Sequence, residues 1–269
     1  MTRRDDGLSR TVGLSRSIKL FEAFRVEQSD PDRFYRFQAA DTVEWIRRWL
    51  DLELSGARVI DVGGGAGYFT EAFRSAGADC FLVEPTAAAP FPTPCGSSPE
   101  SRHRHAVHPA RLAQGTAVAG DGRGLPFATG CADLTFSSNV LEHVADPHRC
   151  VDELARVTRL GGLVYLSFTA WYSLWGGHET APWHYLGGHR AARRYERVHG
   201  RPPGNEFGRS LFARHVGPTL RWLRDHPDLT VVHALPRYHP RWLHWVVRVP
   251  GLREVLTWNL LVVLRRTPR

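Results

Sequence analysis

Three acids and a run of glycines carry the first chemical signal in the chain. Asp61 stands just ahead of Gly63-Gly64-Gly65-Ala66-Gly67, Glu84 closes a later apolar stretch, and Asp121 precedes Gly122. Glycines let a backbone bend sharply and approach a bound molecule, and a helix starting after them presents free N–H groups. The spacing Asp-x-Gly-x-Gly-x-Gly differs from the dinucleotide fingerprint, whose third glycine falls one residue later and which lacks an acid two residues before the first. An acid aimed at the bend repels a pyrophosphate and suits a ligand carrying an ammonium group. Glu84 follows Gly67 at about the separation that lets an acid reach a ribose hydroxyl pair. Each feature taken singly has a plainer reading: a tight turn for the glycines, a helix cap or a solvated loop for each acid.

The elements that must position these groups read as an alternation of strands and helices. Arg58 to Val62 is a buried strand and Tyr68 to Ala76 the helix after the bend. Ala78 to Glu84, Thr116 to Ala119, Ala132 to Ser138, Leu163 to Thr169, Leu229 to Leu235 and Trp258 to Arg265 are further strands. Asp146-Pro147 opens a helix expected to run through Arg159 and to end at Gly161-Gly162, and Leu211 to Arg224 is expected to be helical. Strands alternating with helices predict a parallel sheet covered on both faces. The three acids then fall at successive strand ends, where such sheets bind ligands. Ahead of the first strand, Leu14 to Glu27 and the stretch starting at Asp30-Pro31 carry apolar residues at helical spacing; these helices cover the ligand mouth or pad the sheet.

Composition sets the class. At 269 residues, 42% hydrophobic and 23% charged, the chain can bury a full core as one domain with insertions. The net charge of +8 is carried almost wholly by arginine, with Lys19 the only lysine. That pattern fits a GC-rich codon bias, so charge alone is no argument for nucleic acid. Cys80, Cys95, Cys131 and Cys150 are widely spaced, as in a reduced cytosolic protein without a zinc ribbon. Residues 1–16 lack an apolar core of signal-peptide length, and no stretch approaches the ~20 apolar residues of a membrane span. The expectation is a cytoplasmic protein. The tract from Thr86 to Pro109 reads as a mobile surface loop, and its His103, His105 and His108 as solvated rather than metal-binding.

Taken in order, Asp61-x-Gly-x-Gly-x-Gly, Glu84, Asp121-Gly-Arg-Gly-Leu-Pro-Phe127, Ala132 to Val144, Asp152 to Val157 and Leu160-Gly-Gly162 form a series. Over residues 57 to 170 it resembles the class I S-adenosylmethionine-dependent methyltransferases, most closely their small-molecule type 11 subgroup. The resemblance implies a Rossmann-like, doubly wound seven-stranded sheet, mostly parallel with an antiparallel last strand. It implies S-adenosyl-L-methionine as cofactor, with Gly63, Gly65 and Gly67 lining its methionine part and Asp61 near the amino group. Glu84 would take the ribose hydroxyls, Asp121 the adenine amino group with Gly122 beside it, and Ser138 and Asn139 would lie under the sulfonium. The chain departs from the family where a proline-rich loop, 86–110, replaces the helix after the second strand. A weaker likeness lies in Trp175 to Gly188, which is similar to a bacterial branch of such enzymes linked with cell-envelope glycolipids.

The domain plan is therefore a tail and covering helices over residues 1–56 and a methyltransferase domain over 57–269, with an acceptor lid at 170–209 and a second insertion at 236–257. Methyl transfer needs an acceptor atom held in line at about 3–3.5 Å, and a hydroxyl acceptor also needs a base. His143 is the first candidate, with Glu142 as its orienting partner or a metal ligand; otherwise His143 caps a turn or packs beside the adenine. Within the lid, His178, Glu179, His184, Tyr185 and His189 offer alternative bases, and Trp171, Trp175 and Trp183 a stacking wall. The spacing of His178, His184 and His189 matches no metal motif, and no metal is expected. The second insertion, rich in Trp and Arg, lies at a membrane surface or packs as an amphipathic helix against the sheet. The expected reaction moves a methyl group to a small-molecule or lipid-linked glycan acceptor, at a hydroxyl oxygen. The rivals are a nucleobase methyltransferase and a non-catalytic cofactor-binding scaffold. Ser137-Ser-Asn-Val140 in place of an Asn/Asp-Pro-Pro-aromatic turn, and the lack of a stacking platform, speak against nucleic acid.

Overall fold

The computed structural model describes residues 14–26, 30–85 and 117–268. The expected tail, the loop 86–110 with its three histidines, and Cys95 lie outside the described residues. Seven strands, β1 (Arg58–Val62), β2 (Asp79–Glu84), β3 (Ala117–Ala119), β4 (Ala132–Ser138), β5 (Thr158–Thr169), β6 (Leu229–Pro236) and β7 (Asn259–Arg266), form one sheet in the order β3-β2-β1-β4-β5-β7-β6. β7 runs antiparallel to both β5 and β6, and the other pairings are parallel. The Rossmann-like sheet with an antiparallel last strand is therefore present. Strand order reverses between β1 and β4, the place where doubly wound sheets open a ligand crevice.

Alternation along the strands builds two apolar layers. Ile60, Val62, Val164, Leu166 and Phe168 face one way, against helices α4 (Pro147–Val157) and α6 (Val216–Arg224). Val59, Leu134, Phe136, Leu163 and Tyr165 face the other, against α2 (Pro31–Trp49) and α3 (Tyr68–Ser75). The helix α1 (Leu14–Val26) lies on α2, and α5 (Gly188–His199) belongs to the insertion between β5 and β6. Each fully buried Leu, Val or Phe contributes about 1.5–3 kcal/mol, so these layers dominate the fold's stability. Two helices begin alike: Asp30 accepts from the Arg33 N–H and Asp146 from the Arg149 N–H, both at 3.1 Å, with proline at the first helical position. Among the described residues Cys80, Cys131 and Cys150 are free thiols, and burial pushes Cys150 up to about 12.

Three expectations need correction. The helix opened by Pro147 stops at Val157, before the glycines, because the Thr158 hydroxyl bonds back to the Leu154 carbonyl and its backbone turns extended. Gly161 (φ +77°) and Gly162 instead bend the start of β5; a Cβ on Gly162 would lie 2.9 Å from the Arg159 carbonyl oxygen and 3.0 Å from that of Asp133. Leu211 to His215 is not helical. Leu211 bridges Phe207, the Phe212 N–H donates to the Glu142 carbonyl, and the helix starts only at Val216. The second insertion forms a 3-10 turn, Arg241–Arg248, that buries Val246 and Val247, followed by the short α7 (Leu252–Leu256). Its Trp242 and Trp245 stay exposed, so it is neither one α-helix nor wholly packed on the sheet.

Candidate cofactor and acceptor site

The bend after β1 is built from glycines in left-handed conformations and one buried acid. Gly63, Gly65 and Gly67 all adopt positive φ, a region that excludes most side chains. A Cβ on Gly63 would meet Val140 Cγ2 at 2.5 Å, whereas one on Gly65 would meet nothing within 4 Å. Gly65 thus has an open face, and its N–H donates to Glu84 Oε1 at 2.6 Å across the bend. Asp61 is 1% exposed; its Oδ2 accepts from the Thr70 hydroxyl at 2.7 Å, and its Oδ1 is buried with no hydrogen-bond partner. Burial pushes the Asp61 carboxyl up to about 7, against the Thr70 hydrogen bond and with a further push from Glu84. Burial also raises Glu84, which the Gly65 N–H partly offsets. Among the described residues neither the buried Asp61 nor the half-buried Glu84 has an ion-paired cation, surroundings that suit a ligand bringing positive charge and hydroxyl donors.

Asp121 sits differently. It follows β3, where the Gly120 N–H donates to the Glu84 carbonyl, but its carboxylate accepts from the Arg123 backbone N–H, Nε and Nη2 and is half exposed. The arginine holds Asp121 below the usual carboxylate range. An exposed pair of this kind is screened by solvent, so it is a weak hold on the acid. Gly122 packs tightly, with a Cβ 3.3 Å from Cys150 Sγ.

At the end of β4 the side chains are already engaged. The Ser138 hydroxyl accepts from Arg237 Nη1 at 2.8 Å, and Asn139, at φ +57°, accepts from Asn259 Nδ2 at 2.7 Å. Arg237, buried at the end of β6, also donates to the hydroxyls of Ser167 and Thr42 and lies over the rings of Phe69, Tyr165 and Tyr238. Through Thr42 and through Gln38, which donates to the Tyr238 hydroxyl, α2 both pads the sheet and reaches the strand ends. Nothing in the arginine-rich sequence distinguished Arg237 from its neighbours; its importance comes from burial. Thr70 was equally silent, a threonine one turn into a helix.

Beyond β4 the chain forms a short helical turn, Leu141–His143, braced by the segment 207–215, which turns at 208–210 and then runs on without regular structure. Arg214 donates to the carbonyls of Leu141 and Val144, and His143 Nδ1 lies 2.7 Å from the Ser210 carbonyl oxygen. Glu142 is buried, with Oε1 accepting from the Thr169 N–H at 2.9 Å and Oε2 unpartnered. His143 is therefore oriented by Ser210, which corrects the expectation that Glu142 does so. His178, at φ +48° in the insertion, arrives edge-on to His143, ring centroids 5.1 Å apart. Burial and the nearby His143 lower its pKa.

The other residues of the insertion are occupied elsewhere. His184 is buried with Nε2 3.2 Å from the Ser173 carbonyl oxygen, His189 packs on Phe207, and the Tyr185 hydroxyl donates to the Tyr172 carbonyl. Glu179 accepts from Asn205. The three tryptophans do not form one wall: Trp171 packs on His184 and Phe207, Trp175 on Trp258, and Trp183 under Arg194.

A glycine bend beside the reversal of strand order, with a buried acid and a second acid at the next strand end, is the arrangement of a ligand-binding α/β fold. Comparison with known proteins agrees. Residues 60–166 match the family model of the type 11 methyltransferase domain. The chain is 46% identical over 267 residues to an uncharacterised methyltransferase of Mycolicibacterium gilvum, covering 97% of this chain and 98% of that one. It is 47% identical over 264 residues to another from Mycobacteroides abscessus, covering 97% of each. The fold is shared with an S-adenosylmethionine-dependent methyltransferase of Mesorhizobium loti, at 22% identity and TM-score 0.52 over 83% of this chain and 96% of that one. The chain belongs to the type 11 family of class I methyltransferases, enzymes whose methyl donor is S-adenosyl-L-methionine.

Proposed function

We propose that the enzyme methylates a hydroxyl oxygen of a small-molecule or lipid-linked glycan. The observation that carries this reading is the convergence of Glu142, His143 and His178 beside the end of β4, within 4.8 Å of one another. The cofactor, when bound, supplies an electron-poor methyl carbon on its sulfonium. The Asp61 Oδ1 without a partner takes the cofactor's ammonium group, and the open face of Gly65, between Gly63 and Gly67, receives its methionine part. Glu84, already over the bend, takes the ribose hydroxyls, and Asp121 with Gly122 lies on the adenine side once the carboxylate exchanges Arg123 for the base. Ser138 and Asn139, locked by Arg237 and Asn259, form a rigid floor rather than adaptable ligands. A hydroxyl must lose a proton as it reacts, and the three-residue cluster lies where it can promote that loss.

The insertion 170–209 contributes His178 and acts as the acceptor's cover. The exposed Trp242 and Trp245, near Leu252, Val255 and Leu256, support a lipid-linked acceptor met at a membrane surface. No helix among the described residues is long and apolar enough to cross a membrane. Incubation with methyl-labelled cofactor and a fractionated bacterial extract tests the reading. Label is expected in the lipid or small-glycan fraction as a base-stable ether. Label in RNA, or cofactor uptake with no transfer to any fraction, would refute it.

A further inference from the structure

We propose that Glu142, His143 and His178 hold a divalent transition-metal ion, with coordination positions left open toward the acceptor. Each residue offers one ligand atom within 4.8 Å of the other two. Their remaining atoms are committed in the way metal ligands require. Glu142 Oε1 is fixed by the Thr169 N–H, while Oε2, buried in a residue 1% exposed, has no partner. The short contact between His143 Nδ1 and the Ser210 carbonyl oxygen makes Nδ1 the protonated nitrogen, so Nε2 presents a lone pair. His178 Nδ1 is likewise buried without a partner, on a residue held at positive φ. Non-glycine residues persist in that region when their surroundings over-determine them.

A buried carboxylate oxygen beside two imidazoles would ordinarily accept a ring N–H; among the described residues no such bond forms. An ion satisfies all three at about 2.0–2.2 Å, after the side chains close by roughly an ångström. Arg214, the nearby guanidinium, is bonded to the carbonyls of Leu141 and Val144 and not to Glu142, so it does not occupy Oε2. Two imidazoles and one carboxylate suit Zn, Fe, Co, Ni or Mn and disfavour Mg or Ca, which take all-oxygen shells. Three protein ligands leave positions for an oxygen donor, as catalytic rather than structural sites do.

The ion site stands on side-chain geometry alone; its catalytic role rests on the hydroxyl acceptor proposed above. In that role the ion lowers the cost of removing the hydroxyl proton, which passes to solvent. The oxygen lone pair forms the new C–O bond, and the electrons of the broken C–S bond stay on sulfur. His143 is then a ligand, not the base.

The test uses full-length protein stripped with a chelator and titrated with Co²⁺ alone, followed by visible absorption, and with Zn²⁺ by calorimetry. One equivalent is expected, with the absorption of a low-coordinate Co²⁺ site. Glu142→Gln, His143→Ala and His178→Ala should each weaken uptake at least about tenfold. Binding of S-adenosylhomocysteine, measured in the same samples, reports on folding and on the cofactor site independently; His178→Ala, at a partly exposed turn, is the variant that keeps the test decisive if Glu142→Gln fails to fold. No uptake by folded wild-type protein, or uptake unchanged in the three variants, overturns the proposal whatever the acceptor proves to be.

Discussion

Asp61→Asn is the substitution on which the cofactor reading turns. The carboxyl is enclosed, keeps one hydrogen bond from Thr70, and is raised from 3.8 to about 7. At about 1.4 kcal/mol per pKa unit, ionising it inside the cofactor-free fold costs on the order of 4 kcal/mol relative to the unfolded chain. The sign follows from the raised value. The stability this group allows is fully present below its unfolded pKa and is lost as pH rises through about 7. Asn carries no charge at any pH, so the cofactor-free variant should match wild type in acid and exceed it in urea resistance above neutrality, by up to a few kcal/mol. Cofactor binding should move the opposite way. An ammonium group against Oδ1 favours the ionised carboxylate, so wild-type affinity should rise about tenfold between about pH 6 and about pH 8, with a proton released on binding. Asp61→Asn should bind weakly and without that slope. Calorimetric titration with S-adenosylhomocysteine in two buffers of different ionisation heat measures affinity and proton release together, and urea melts supply the stability curve. Equal affinity of variant and wild type at about pH 8, or a wild-type affinity flat across this window, would refute the reasoning.

Two further substitutions probe the frame around the site. Gly63→Ala places a Cβ at φ +74° and 2.5 Å from Val140 Cγ2, so strain and overpacking together should cost about 2–4 kcal/mol in urea unfolding. An unchanged midpoint would show that the bend is softer than its geometry implies. Glu254→Ala removes the carboxylate that accepts from the Val216 and Gly217 N–H groups at 2.8 and 2.7 Å, and should cost about 1–2 kcal/mol without changing cofactor affinity. Loss of cofactor binding in folded Glu254→Ala protein would place α6 closer to the site than these contacts indicate.

Local chemistry made part of this enzyme legible before any fold was known. Glycines at fixed intervals after an apolar run, and Asp-Pro at two helix starts, act within a few residues of chain, so Gly63 to Gly67, Pro31 and Pro147 could be placed from residue type alone. The alternation of strands with helices constrained the sheet in the same way. Positions whose role depends on distant partners were not readable. Leu211 to His215 carries a helical pattern, yet the backbone bonds across Phe207 and Glu142 pull it straight. Asp121 looked like an acid free to bind, and a neighbour two residues on claims its carboxylate. Arg237 is one arginine among many until folding buries it against Ser138, Ser167 and Thr42. The meeting of Glu142 and His143 with His178 belongs wholly to tertiary structure. They lie on separate elements, and only the packing of the folded chain leaves Oε2 and Nδ1 buried without partners. Sequence alone thus determined the sheet, the glycine bend and the family, because short-range sterics and hydrogen bonding encode them; the tertiary structure decided which acids and imidazoles lose their solvent together, because desolvation is a property of the packed whole.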